Sequence, residues 1–440
     1  MKKIIYLLLF TALSSNMVAQ TDTLTLSLDQ AMQLGLNNRF DSKESSLNID
    51  VAKSKKIKSK KELLPDISAN GKVIYNGQVQ PTIVPAGYLG FTSPEKIALG
   101  MKNNTAFALD LNYSIYKPGL YTDIKIAANN IVLETEKNHH TNIDIKTEIA
   151  EAYENVLLKA IQYDIALKNE ARYNEYYELA LGEYNNGALI ESDRMLAKLD
   201  YKNAKTNTEK LKQNYLLSVQ YLKYKLAIPD QTAIKLTETI ESAYAETTTE
   251  TNYTNPTTDR TEIKQLWIEQ RGIKLQLSKA RQNYLPSFDV TANYTKLFQG
   301  AGFDYANSFY WTPVDYVGLR LSVPITGSIK NANTVKEYKI QLRQNALKLQ
   351  QKTADVQYEI LEALTQLNNA KQNLRVAKDN YDLSGKVYNL KKQQYNSGSF
   401  PYQQLLDTEK SLTNADQEYI TSIYNFLLAK INYQKAIGMY

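Results

Sequence analysis

The chain has 440 residues, a formal net charge of +6, 43% hydrophobic and 22% charged residues. These globular proportions exclude wholesale disorder, and so mild a charge gives no ground for nucleic-acid binding. Cysteine is absent, which removes disulfides, thiolate metal sites, thiol catalysis and lipidation of an N-terminal cysteine.

Residues 1–19 read as a cleaved signal peptide. Lys2 and Lys3 precede the apolar run Ile4 to Leu13, and Ala19 closes a short polar stretch. The run is shorter than the ~18–20 residues of a membrane span, and no later stretch reaches that length. Ser27-Leu28-Asp29-Gln30 is a capping box that opens a helix. Lysines 53, 55, 56, 58, 60 and 61 follow on a helical stretch, either as a solvated face or as partners of anionic headgroups at a membrane surface. Leu64-Pro65 stops that helix, because the residue before proline is pushed out of the helical region. Ile67 to Tyr75 and Phe107 to Ile115 alternate apolar with polar, the period of strands dry on one face and wet on the other. Residues 76–105 between them, with Pro81, Pro85 and Pro94, read as an extracellular loop of about 30 residues, too long for a tight hairpin.

A helix is expected from about Tyr121 to Tyr184, since proline is missing there and glycine almost so. At 1.5 Å per residue it would be roughly 95 Å long. The chain as a whole holds 17 glycines and 11 prolines, about half the usual ~7% and ~5% shares, which favours few long helices over many short strands. Its 33 tyrosines supply rings with one apolar and one wet end. His139 and His140 are the two histidines; adjacent residues do not share a helix face, so they read as solvated residues and not a metal pair. The tip Tyr184-Asn185-Asn186-Gly187 turns the chain into a return helix from Glu191 to Leu226. Residues 229–258 are rich in Thr and Glu and read as a connector with little regular structure.

Asp259-Arg260-Thr261-Glu262 then repeats the capping-box spacing, and Leu285-Pro286 repeats the helix stop 221 residues after the first. Phe288 to Thr295 and Val317 to Val323 alternate as strands. A second long helix runs from about Ile329 to Tyr395, a second tip is Tyr395-Asn396-Ser397-Gly398, and the return helix is Gln403 to Ile437. A period near 210 residues marks duplication of a whole half. The domain reading is therefore signal peptide 1–19, first repeat 20–228, connector 229–258 and second repeat 259–440.

The alternating strands fit a half-buried sheet in a soluble domain or the wall of an outer-membrane barrel. Four strands cannot close a barrel, and an open edge in lipid leaves amides unpaired, so a membrane barrel requires several copies. With no acid/base pair, metal set or phosphate loop, the chain does not read as an enzyme, and no cofactor is expected.

The chain resembles the TolC family of outer-membrane efflux channels. The likeness rests on Leu24-Thr25-Leu26-Ser27-Leu28-Asp29-Gln30-Ala31, the two Leu-Pro junctions, Gly318-Leu319-Arg320-Leu321-Ser322-Val323-Pro324, the two Tyr-x-x-Gly tips, and Leu405-Leu406-Asp407 after the second. The resemblance implies a mainly α protein with a small β part. Long α-helical hairpins would form an α-barrel, and four strands would join a trimeric, twelve-strand outer-membrane β-barrel. It implies a homotrimer in outer-membrane lipid with a long periplasmic extension, a periplasmic adaptor and an inner-membrane pump of the RND or ABC type. The function implied is a passive duct for small molecules; type I protein secretion, and a secreted coiled-coil fibre of a different class, stand as alternatives. By the family pattern Asp193, Tyr395, Gln404 and Asp407 belong to the periplasmic gate, and Gly187 and Gly398 to adaptor-docking tips. Phe400 stands where the family's latch has arginine, Gln404 replaces one of two acidic ring positions, and Asn38-Arg39 replaces Asn-Pro at the end of the first helix.

Overall fold

The computed structural model of the chain describes residues 23–88, 90–239, 259–397, 399 and 402–439. The expected signal peptide, most of the connector, Gly398 and Phe400 lie outside the described residues. The elements are β1 (Leu24–Leu26), α1 (Leu28–Asn38), α2 (Phe40–Lys61), β2 (Asp66–Tyr75), β3 (Thr82–Val84), β4 (Glu95–Ile97), β5 (Asn103–Tyr116), α3 (Leu120–Asn185) and α4 (Glu191–Leu226). After them come β6 (Ile234–Leu236), α5 (Thr261–Gln282), β7 (Ser287–Gly300), β8 (Trp311–Ser322), α6 (Gly327–Asn396) and α7 (Tyr402–Ala436). The chain is mainly helical with few strands, as expected, and α3 and α6 reach 66 and 70 residues. No helix among the described residues is long and apolar enough to cross a membrane.

The chain falls into two compact units, each drawing on both halves of the sequence. One holds Asn48–Thr135 and Gln265–Gln350. Its centre is an antiparallel sheet of order β2-β5-β7-β8, so β2 and β8 each have one unpaired edge. The register aligns Ile67, Leu111, Ala292 and Val317 across the sheet, and the same face carries Phe107, Leu109, Val290, Tyr294, Leu319 and Leu321. These side chains are largely exposed, Leu319 at 82% and Val317 at 80%. The opposite face is polar. Asp110 accepts from Asn70 Nδ2 and Asn293 Nδ2, each at 2.8 Å, and Asp289 accepts from Ser114 Oγ at 2.6 Å.

Three strands run further than their alternation predicts. Asn103 and Thr105 stand on the apolar face near the far end of β5, which hides the pattern from the sequence. There the segment 301–310 folds over them: Thr105 Oγ1 and Tyr305 OH are 2.9 Å apart, and Asn103 Nδ2 donates to Gly302 O at 2.9 Å. Phe298 is fully buried among the rings of Tyr305, Tyr310 and Trp311. The stretch 76–105 is also not a plain loop, since β3 and β4 pair within it as a short antiparallel hairpin.

The other unit holds the described residues up to Leu47, Glu136–Lys264 and those from Gln351 onward. Its core gathers Ile145, Ile149, Tyr153 and Val156 of α3, Leu222 and Leu226 of α4, and Ile423 and Leu427 of α7. Leu24 to Leu26 pairs in parallel with Ile234 to Leu236. This corrects the reading of the connector, whose first part is tied into the core by backbone hydrogen bonds. Gly35 of α1 allows close approach: a Cβ there would collide with Ile149 Cδ1.

Ser27 and Gln30 form the expected capping box, with Gln30 N donating to Ser27 Oγ and Ser27 N to Gln30 Oε1. The box expected at Asp259 to Glu262 does not form. Glu262 turns instead to Arg260, whose Nη2 is 2.6 Å from Oε1, and Asp259 lies 3.7 Å from Lys264 Nζ. Arg260 also donates to Ala436 O at 2.9 Å, tying the start of α5 to the end of α7. The ion pair with Arg260 outweighs the burial that opposes ionisation and holds Glu262 at about 2. Arg39 ends α1 in an extended conformation and pairs with Asp41 and Glu148, so the break before α2 is made without proline.

Candidate channel gate

The first tip is set by Gly187. Its φ of +73° is the left-handed conformation that side chains disfavour, and a Cβ there would meet nothing within 4 Å. Gly187 N donates to Tyr184 O and Ala188 N to Glu183 O, which satisfies the last carbonyls of α3. Arg194 braces the turn from the other side. Its guanidinium lies 5.0 Å from the Tyr184 ring centroid and 3.4 Å from Glu191. Asp193 is exposed in the first turn of α4, where an acid suits the helix dipole, and its carboxylate accepts from Ser192 Oγ at 3.4 Å.

Tyr395 lies at the end of α6, partly buried. Burial and the nearby charge of Glu183 raise its pKa, so the end of the second hairpin stands beside the end of α3. Gln404 and Asp407 are exposed on the first turns of α7. Lys410 does not neutralise Asp407 from one helical turn away; its Nζ is 3.8 Å from Asp200 on α4. His140 hydrogen-bonds Thr261 at 2.9 Å, and no cluster suited to a metal ion occurs among the described residues.

Two residues central to this region were not singled out from the sequence. Glu409 on α7 is fully buried, and its Oε1 lies 2.7 Å from Arg172 Nε on α3. The N–H does not point along that line, so the contact is Coulombic more than a directed hydrogen bond. Beside it Tyr176 OH of α3 and Tyr388 OH of α6 are 3.3 Å apart, both rings buried. Burial raises the Glu409 pKa against the lowering effects of Arg172 and Tyr176. One buried polar knot thus joins α3, α6 and α7 two turns above the second tip. The spacing Leu405, Glu409, Leu412 was the available signal: an acid at an apolar stripe position.

Tyrosine stacking zips each hairpin. Tyr163 stacks on Tyr215 and Tyr177 on Tyr201 between α3 and α4, and Tyr381 on Tyr419 between α6 and α7.

Comparison with known proteins accords with this architecture. The solved structure of CusC, described as forming a transmembrane channel, covers 97% of this chain and 95% of its own at a TM-score of 0.76 and 15% identity. The Neisseria gonorrhoeae MtrE outer membrane channel gives 0.75 at 14% identity, covering 93% of this chain and 88% of its own. The Campylobacter jejuni CmeC outer membrane channel gives 0.70 at 15%, covering 93% and 85%. No curated protein matches the chain in sequence. Residues 258–439 match the family model described as outer membrane efflux protein. The chain thus has the fold of these channels over nearly its whole length, and its likeness to the outer membrane efflux protein family model lies in its second half.

Proposed function

We propose that the protein is the outer-membrane duct of a tripartite efflux system, a passive exit for small molecules delivered by an inner-membrane pump through a periplasmic adaptor. One observation carries this reading: a four-stranded sheet with one apolar exposed face, one polar face and an unpaired edge on each side. In lipid those edges must be paired, and the smallest known spanning barrels have about eight strands. Three copies joined β2 to β8 close a twelve-strand barrel with the apolar face toward lipid. The helical hairpins then form the periplasmic conduit. Gly187 and Gly398 are the adaptor-docking tips, and Asp193, Tyr395, Gln404 and Asp407 the gate. Nothing in the gate is built for catalysis, so transport energy comes from the pump. Mass measurement in mild detergent tests the assembly: three times the mass of the mature chain is expected, and a stable monomer refutes it.

A further inference from the structure

The strand order brings four helix ends to one end of the sheet. The C-termini of α2 and α5 and the N-termini of α3 and α6 adjoin Asp66, Tyr116, Ser287 and Ser322. Just past the strands large apolar side chains stand free: Leu64 at 65% exposure, Tyr121 at 62%, Ile325 at 88% and Ile329 at 77%. Within about two helical turns come exposed Lys58, Lys60, Lys61, Lys125, Arg281 and Lys330, none of which has an ion pair among the described residues. The acids at this level are fewer, Glu62, Asp66 and Asp123, and Asp123 is already taken by Lys279 at 2.6 Å. The opposite end of the sheet has no such excess: Lys96 and Lys102 there are matched by Glu95 and Asp304.

We propose that this band of apolar and then cationic side chains is a docking collar for anionic phospholipids of the periplasmic leaflet. The inference rests on the reading of the sheet as membrane-spanning and adds to it the class of lipid that the protein holds. Apolar residues just beyond the strands reach the acyl–glycerol boundary, and lysine stems extend from there so that the ammonium groups meet phosphates. The six lysines between positions 53 and 61 of α2 point around its whole circumference, so several face lipid whichever side a neighbouring copy covers. Lipopolysaccharide lies in the other leaflet, against the end whose charges balance.

The test uses the full-length protein. Conductance across pure phosphatidylcholine vesicles first reports whether the sheet spans a membrane, independently of lipid charge. Protein in nanodiscs of equal phosphatidylcholine and phosphatidylglycerol is then stripped with mild detergent, and the retained lipids are counted by native mass spectrometry. Each lysine held near a phosphate should give about a fivefold preference, so phosphatidylglycerol should be retained at least fivefold over phosphatidylcholine. The Lys58→Gln/Lys60→Gln/Lys61→Gln variant should lower that ratio at least fivefold, while arginine at the same positions keeps it. Conduction with no lipid preference in the wild type, or an unchanged ratio in the glutamine variant, would overturn the collar alone. Failure to conduct in phosphatidylcholine would overturn the membrane reading and the collar with it.

Discussion

Removing Arg172 and removing the charge of Glu409 should have unequal effects, although the two residues form one pair. Glu409 is fully buried, and burial is the dominant influence on its raised pKa. Glu409→Gln keeps the shape, removes a charge that the site disfavours and leaves Arg172, one third exposed, able to turn to water. Its expected cost is under about 1 kcal/mol, or a slight gain. Arg172→Met strands an anion in an apolar site. The full cost of breaking a buried pair is about 3–5 kcal/mol; part of Arg172 is already solvated, so about 2 kcal/mol is expected here. The double variant should recover most of that loss, a coupling of about 1–2 kcal/mol. Thermal unfolding in detergent reads the order: wild type and Glu409→Gln together, the double variant close below, Arg172→Met lowest by several degrees. Single-channel recording reads the gate, because the pair ties α3 to α7. Both single variants should open more often than the wild type. Additive losses in the four proteins, or identical opening in all of them, would refute the pair as the tie.

Glu154 of α3 is buried beside Glu238, and burial first, then that charge, push its pKa to about 7. A folded-state pKa above the unfolded value means that stability is fullest below about 4.5 and falls as pH rises through about 7. Glu154→Gln should remove this fall and be more stable at pH 8 by up to about 3 kcal/mol, read from denaturant midpoints across pH. Gly187→Val places a β-branched residue at φ +73°, so the trimer should still reach the membrane while adaptor capture and export fail; normal export would count against docking at this tip. Asp407→Asn should weaken cation selectivity and block by trivalent cations, since one exposed carboxylate per copy would make a ring of three in the proposed trimer. Identical selectivity in single-channel recordings of the two proteins would place Asp407 away from the constriction.

Long range and short range differ in what the sequence discloses. The helices were legible because they are interrupted at so few places: Leu64-Pro65, Leu285-Pro286 and the two Tyr-x-x-Gly tips bound them, and α4 runs from Glu191 to Leu226 as expected. The strands were legible where one face meets lipid or solvent uniformly. They were lost at Asn103 and Thr105, where a distant segment covers the apolar face and its tyrosine hydroxyl satisfies the threonine. The capping box at Asp259 failed for a similar reason: Arg260, brought to Glu262 and Glu359 at once, holds the glutamate more strongly than a backbone amide does. The strand Ile234 to Leu236 is three residues long and has no pattern of its own; its partner β1 is 210 residues away. Near the candidate gate, Glu409 stands on the apolar stripe of α7, but spacing alone does not show that it is fully buried, because that burial needs a site assembled from three helices.

The spacing of the two tips lets the two return helices be compared position by position. Shifted by the 211 residues that separate the tips, Asp193 corresponds to Gln404, Leu196 to Asp407 and Lys198 to Glu409. In α4 the first turn exposes Glu191, Ser192 and Asp193, and the next exposes the apolar Met195, Leu196 and Leu199, at 58%, 40% and 53%. In α7 they expose Gln404 and Asp407 and bury Leu405, Leu406 and Glu409. An apolar face left open in a single chain has its free energy to gain from another protein surface, whereas an exposed amide and carboxylate have theirs to keep in water. The two return helices are therefore suited to different neighbours. In the proposed trimeric duct the first would present its apolar side chains to a packed interface, and the second its polar ones to the aqueous passage. That division gives the carboxylate at Asp407 a reason to be in the lumen that does not depend on family likeness. On the same reading the knot around Glu409 would hold to its neighbours the helix that borders the passage.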